Sequence, residues 1–93
     1  MNIKILTPEF VVFEGEVSSV LLPGKNGDFQ IMKDHAAIVA SLTGGKVKLF
    51  TNEIDEKFAG HFTKDSEKES VFSFPLRSAV IEFNNNKEII LAE

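Results

Sequence analysis

Residues 79–91 read AVIEFNNNKEIIL, and this stretch decides the fold. Two short apolar runs, at residues 79–83 and 88–91, flank the three consecutive asparagines of residues 84–86. Asparagine adopts the left-handed backbone conformation of tight turns more readily than most other residues. The pattern therefore predicts a β-hairpin whose two strands are joined at the asparagines.

The rest of the chain has the same rhythm, with turn residues separating short apolar runs. Turns are predicted at residues 23–27, which read PGKNG, and at residues 43–45, which read TGG. Further strands are predicted at residues 2–7, 10–13, 16–22, 29–32, 38–42, 46–50 and 71–76. Short strands at this spacing are typical of a β-sandwich or a β-barrel, so we expect an all-β fold.

Residues 52–70 do not fit this rhythm, because they hold six acidic and three basic side chains. Ile54, Phe58 and Phe62 recur every fourth residue, which would line one face of a short helix with Asn52 as its N-cap. Residues 58–62 could instead pair as a strand with residues 71–74. Both interpretations remain open, and we treat residues 52–70 as a charged insertion.

Composition limits the class of protein. Ninety-three residues suffice for one domain spanning 1–93, and 43% hydrophobic with 26% charged residues is an ordinary globular balance. A net charge of −4 argues against a nucleic-acid partner. The absence of cysteine excludes disulfides, thiolate zinc sites and thiol catalysis. No apolar run approaches the ~20 residues of a membrane span, and the first residues do not form a signal peptide.

Candidate catalytic residues are few. His35 and His61 lack a second histidine at metal-ligand spacing, and no Gly-x-Ser-x-Gly turn supplies a nucleophile to the adjacent Asp34 and His35. Lys25 follows a glycine but lacks the flanking residues of a phosphate-binding loop. We therefore expect no catalytic, cofactor-binding or metal-binding residues, and a His35 that is partly buried and hydrogen-bonded to a loop backbone.

The chain has nine phenylalanines but no tryptophan or tyrosine. Because phenylalanine carries no polar group, most of these rings should lie in the core or in a permanent interface. We expect core positions for Phe10, Phe13, Phe29 and Phe50. The residues alone thus predict a small acidic all-β domain that acts as an interaction module.

Three blocks resemble the epsilon subunit of F-type ATP synthases: residues 7–17 (TPEFVVFEGEV), residues 20–37 (VLLPGKNGDFQIMKDHAA), and residues 80–83 with 89–93. They occur in order and at family spacing. The family usually has glycine at the position of Gln30, proline-glycine at Lys33 and Asp34, and proline at Ala37. Longer members continue with a helical hairpin after the position of Glu93, so we expect a short form without that hairpin.

The resemblance implies a flattened two-sheet β-sandwich and a non-catalytic role in the central stalk (rotor) of a proton- or sodium-driven ATP synthase. The subunit would link the gamma subunit to the c-ring, support torque transmission, and bind no cofactor. It would lie at the cytoplasmic face of the bacterial inner membrane, touching the membrane only through the c-ring. In isolation it would be a monomer.

Carried over by position, the resemblance also implies two contact surfaces. The c-ring contact comprises Lys25, Asn26, Gly27, Asp28, Phe29 and Gln30, with Asp28 as the main charge contact. The gamma-subunit contact comprises Thr7, His35 and Ala40. The alternative function is a stand-alone β-sandwich module that binds a peptide or a carbohydrate, although stacking on sugars normally uses the absent tryptophan and tyrosine.

Overall fold

A computed structural model describes residues 1–93. The elements in chain order are β1 (Asn2–Leu6), β2 (Val11–Glu16), β3 (Ser19–Gly24), β4 (Gly27–Met32), β5 (Ile38–Leu42), β6 (Gly45–Phe50), α1 (Glu56–Ala59), β7 (Thr63–Lys64), β8 (Val71–Leu76), β9 (Ala79–Asn84) and β10 (Lys87–Ala92). The helix is too short to span a membrane. The molecule measures 29 × 28 × 22 Å, so it is slightly flattened.

The strands form two layers that are joined at one corner. The first layer has the order β2-β1-β10-β9-β5, and the second has the order β4-β3-β6-β8-β7. A single bridge between Gly24 and Leu42 connects β3 to β5 and makes the layers one continuous sheet, curled into a half-barrel. The prediction of an all-β sandwich is confirmed. All neighbours are antiparallel except β1 and β10, which run parallel.

The core lies between the layers, and side chains that alternate along β1, β6, β9 and β10 build much of it. On β9, Ala79, Ile81 and Phe83 are buried, whereas Val80 is 45% exposed. Eighteen buried hydrophobic residues form one continuous cluster. Alternation of this kind lets one face of each strand pack inward while the other face stays in solvent.

The predicted hairpin is present, with Asn85 and Asn86 at φ values of 51° and 60°. The strands at residues 38–42 and 71–76 have the predicted bounds. Neither interpretation of residues 52–70 holds as predicted. The helix α1 spans only Glu56–Ala59, which leaves Ile54 and Phe62 outside it. The strand that pairs with Phe72 and Ser73 of β8 is Thr63–Lys64 and not residues 58–62.

Two local predictions are wrong. The helix is capped by Asp55, whose carboxylate accepts from the backbone N–H of Lys57 at 3.0 Å, and not by Asn52. Phe10 is 44% exposed and stacks on His61 with a centroid distance of 4.8 Å. It lies in the turn before β2, outside the paired strand whose inward residues include Phe13.

The other two predicted core rings are intermediate cases. Phe29 is half-buried and packs against the core cluster, and Phe50 is half-buried at the end of β6. The core prediction is therefore fully confirmed only for Phe13, which is 3% exposed.

Candidate functional site

The predicted c-ring contact is built on the β3–β4 hairpin. Gly24 pairs with Gly27, so Lys25 and Asn26 form a two-residue turn, which confirms the turn predicted at residues 23–27. Gly27 has a φ of 113°, which L side chains rarely adopt. Glycine at this position therefore permits a tight turn that a residue with a side chain would strain.

A groove of about 480 Å³ lies between this hairpin and β5. It exists because β5 pairs with β9 along its length but reaches β3 only at Leu42, which leaves the layers open beside the turn. Its lining consists of Gly24, Lys25, Asn26, Gly27, Asp28, Phe29, Ile38, Ala40 and Ser41. The structure thus brings Ala40, predicted to contact the gamma subunit, together with five of the six residues predicted to contact the c-ring.

The charges of the hairpin are free. Lys25 and Asp28 are exposed, and the ion pairs of the molecule are formed elsewhere, by the Met1 amino group with Glu16 and by Lys4 with Glu14. Gln30 does not line the groove, because its side-chain amide donates to the Ser19 hydroxyl at 2.9 Å. The turn offers one cation and one anion to a partner.

His35 lies in the β4–β5 loop, which is fastened to the β9–β10 turn. The backbone N–H of Asp34 donates to the side-chain oxygen of Asn86 at 2.6 Å, and the Asn86 amide donates back to the Asp34 carboxylate at 3.0 Å. The His35 Nδ1 lies 2.6 Å from the carbonyl oxygen of Ala36. Because a carbonyl only accepts, Nδ1 carries the hydrogen.

The ring of His35 therefore hydrogen-bonds a loop backbone, as predicted, but it is exposed and not partly buried. Its edge contacts the Phe83 ring, with centroids 5.8 Å apart and planes at 89°. The exposure is shared by the whole loop, since residues 32–37 are all exposed, and Asp34 adopts the left-handed conformation at φ 67°.

Thr7 organises the β1–β2 turn. Its hydroxyl accepts from the backbone N–H groups of Glu9 and Phe10, at 3.2 and 3.0 Å, and its own N–H donates to the Phe10 carbonyl. This side chain is already occupied by local hydrogen bonds, so its contribution to any contact is the shape of the turn.

Thr7 and His35 lie at opposite ends of the first layer. Thr7 follows Leu6, which pairs with Leu91, whereas His35 precedes Ile38, which pairs with Phe83 at the other end of β9. Strands of five to six residues span roughly 17–20 Å. The three residues predicted to contact gamma therefore do not form one compact patch.

Sequence reasoning missed two features. The outer face of the first layer carries exposed apolar side chains on three adjacent strands, namely Val39, Val80, Ile89 and Leu91. Glu88, in contrast, faces the core and is 1% exposed. The register of β10 against β1 and β9 turns Glu88 inward and leaves Ile89 and Leu91 on the outer face. The structure brings no three histidine, aspartate or glutamate side chains together as a metal-holding cluster.

Comparison with known proteins gives consistent relatives. Residues 1–60 match the family model of the ATP synthase delta/epsilon chain β-sandwich domain. The ATP synthase epsilon chain of Chlorobium limicola is 37% identical over 92 residues, covering 99% of this chain and 88% of the relative. The epsilon chain of Campylobacter jejuni is 39% identical over 72 residues, covering 73% of this chain and 56% of the relative.

A solved structure has the same fold. A chain in the structure of the Tetrahymena thermophila mitochondrial ATP synthase central stalk and c-ring aligns with a TM-score of 0.67, covering 99% of this chain and 62% of that one. The two sequences are only 14% identical, so this likeness concerns the fold alone. The family model and the relative of 37% identity, unlike the solved structure, show the family. The chain belongs to the epsilon family of ATP synthase subunits.

Proposed function

We propose that this chain is a non-catalytic central-stalk subunit of a proton- or sodium-driven F-type ATP synthase. It links the gamma subunit to the c-ring and supports torque transmission at the cytoplasmic face of the bacterial inner membrane. The observation that carries the proposal is the identity of 37% with an ATP synthase epsilon chain over almost the whole of both chains. The role is mechanical, and it requires stable surfaces rather than reactive groups.

The proposed c-ring contact is the β3–β4 hairpin. Its tight glycine turn presents Lys25 and Asp28 without internal ion-pair partners. Exposed charges of this kind set the register and the rate of association more than the affinity. A two-residue turn between paired strands has no long loop that could move, which suits a contact that must not slip under torque.

The proposed gamma contact comprises Thr7, His35 and Ala40, which lie far enough apart that only an extended partner surface can reach all three. His35 is held by the Asp34–Asn86 clasp, and Ala40 is half-buried in the groove beside the hairpin. The groove is where the two proposed contacts adjoin. A partner seated there would fix the orientation of the hairpin.

The test is co-purification of the chain with the gamma subunit of its own organism, followed by titration calorimetry on the pair. We expect a monomer in gel filtration that forms a one-to-one complex with gamma. A folded chain that does not bind the gamma subunit would contradict the proposal and would favour the stand-alone binding module. Peptide and oligosaccharide screening would then be the next measurement.

Reversing the charge of the hairpin should weaken the ring contact. Asp28→Lys is expected to cost about 0–1 kcal/mol of binding free energy and to slow association at low salt. Association of the gamma complex with detergent-solubilised c-ring measures the effect. Glu69→Lys is the matched control, because it changes the net charge equally at an exposed position outside the groove. Equal rates for both variants would remove the case for Asp28.

Filling the groove should weaken gamma binding. Ala40→Trp places a large ring beside Phe29 and Ile38 in the groove, and we expect affinity to fall about tenfold or more, where tenfold corresponds to 1.4 kcal/mol. Calorimetry with gamma measures it. Val39→Trp is the control, because Val39 is 73% exposed and does not line the groove. A loss of gamma affinity in V39W but not in A40W would indicate that the interface lies on the outer face of the sheet.

A further inference from the structure

Glu88 occupies a core position. It is the second residue of β10, between Ile3 of β1 and Phe83 of β9 in the sheet register. These two neighbours are 0% and 1% exposed, and Glu88 itself is 1% exposed. Both of its carboxyl oxygens are buried and lack any hydrogen-bond partner.

Such an environment favours the neutral acid. An ionised carboxylate without hydrogen bonds is far more costly to bury than the protonated group. Burial raises the pKa of Glu88 from 4.5 to about 8, although the positive charge of the Met1 amino group acts in the opposite direction. Near neutral pH the carboxyl is therefore largely protonated.

Few charged groups surround this position. The Met1 amino group, which precedes β1, is partly buried. It pairs with the exposed Glu16 carboxylate of β2 at 3.2 Å and donates to the Val17 carbonyl at 3.1 Å. Glu82 of β9 and Lys87 of β10 are exposed. The remaining core neighbours in both layers carry no titratable side chain. The imidazole of His35 contacts the outer neighbour of Glu88, the ring of Phe83 on β9. The Met1 ammonium is the positive charge that acts directly on Glu88 and favours its ionisation.

We propose that Glu88 is a proton-dependent latch at the Met1 end of the sandwich. As the neutral acid it lets β1, β9 and β10 close over it. As the carboxylate it draws in water and competes with Glu16 for the Met1 ammonium, which loosens the first residues of β1 and β10. This inference concerns the fold itself and stands whether or not the proposed function holds.

The pH dependence follows from the raised pKa. Below pH 4.5 the carboxyl is neutral in both the folded and the unfolded chain, so it costs the fold no ionisation penalty. Between pH 4.5 and about 8 the unfolded chain releases the proton while the folded chain keeps it, and the contribution of Glu88 lowers the folding equilibrium constant up to about tenfold per pH unit. Above the pKa of Glu88 in the folded chain, the carboxyl is ionised in both states, and the stability that Glu88 takes from the fold no longer changes with pH.

The test combines three measurements on the full chain. Carboxyl ¹³C NMR gives the titration of Glu88 directly, urea unfolding from pH 5 to 9 gives the stability, and amide-exchange protection factors report opening at residues 2–4 and 87–90. The variants are Glu88→Gln, which cannot ionise, and Glu82→Gln, which removes a carboxylate exposed on the adjacent strand.

We expect wild type and E82Q to lose stability relative to E88Q as the pH rises from 5 to 8, with protection lost first at residues 2–4 and 87–90. A Glu88 titration midpoint near 4.5, or an unchanged protection pattern after Glu88 has ionised, would overturn the latch. If E88Q does not fold, the NMR titration and the exchange pattern of the wild-type chain decide the question by themselves.

Discussion

Phe83→Ala is expected to lower the free energy of unfolding by about 3–5 kcal/mol. Phe83 is 1% exposed and is paired with Ile38 on one side and Glu88 on the other. Truncation removes buried apolar area and leaves a cavity that the two adjoining strands cannot fill without moving. Because small domains have a free energy of unfolding of only about 5–15 kcal/mol, the substitution would remove a large part of it.

Urea unfolding followed by circular dichroism measures this loss. Val80→Ala is the matched control, since Val80 lies on the same strand at 45% exposure, and its change is expected to stay within about 0.5 kcal/mol. Similar unfolding midpoints for F83A and V80A would mean that the core is not organised as described. Phe83→Leu should retain the fold yet alter the edge contact with His35, so gamma binding in that variant tests the support of His35.

Gly24→Ala is expected to damage the hairpin. A Cβ atom at this position would lie 2.8 Å from the Gly27 carbonyl oxygen and 2.9 Å from the Phe29 ring. Both contacts are too short, and the carbonyl belongs to the backbone of the turn, so the turn must open or the ring must move. We expect a loss of about 1–3 kcal/mol in stability, together with weaker binding to the c-ring complex than for Asp28→Lys.

Gly60→Ala is the control for that variant. Gly60 has ordinary helical angles, φ −65° and ψ −17°, and a Cβ there would meet nothing within 4 Å. The added methyl should be neutral or stabilising by about 0.4–1 kcal/mol, because it restricts the unfolded chain. Equal stability and equal ring binding for G24A and G60A would contradict the packing described for the turn.

Much of the fold can be predicted from local sequence patterns. The asparagine turn at residues 84–86 and the alternation around Ile81 need only neighbouring residues, so the sequence predicts them. Phe10 was misassigned because its exposure depends on the turn that Thr7 organises and not on its apolarity. Asn52 resembles an N-cap, but Asp55 stands at the position where helical hydrogen bonding begins.

The candidate site was predictable only in part. The hairpin glycines identify a tight turn, whereas the groove depends on how far β5 reaches along β3, which no local pattern encodes. Glu88 was missed for a similar reason. The run Lys87–Ala92 has apolar residues on both faces, so its inward side is decided by the pairing of β10 with β1 and β9.

The parallel pairing of β1 with β10 has a consequence for the order of events in folding. It joins Ile3 to Glu88, contacts separated by almost the whole chain, and β10 must also join β9. Closing so long a loop costs conformational entropy before any contact is gained. Folds rich in distant contacts therefore form in milliseconds to seconds rather than microseconds. During synthesis β1 can pair with β2 early, but the edge of β1 that pairs with β10 stays open until β10 leaves the ribosome. The nascent first layer thus exposes an unpaired strand edge until residues 87–92 are available to pair with β1.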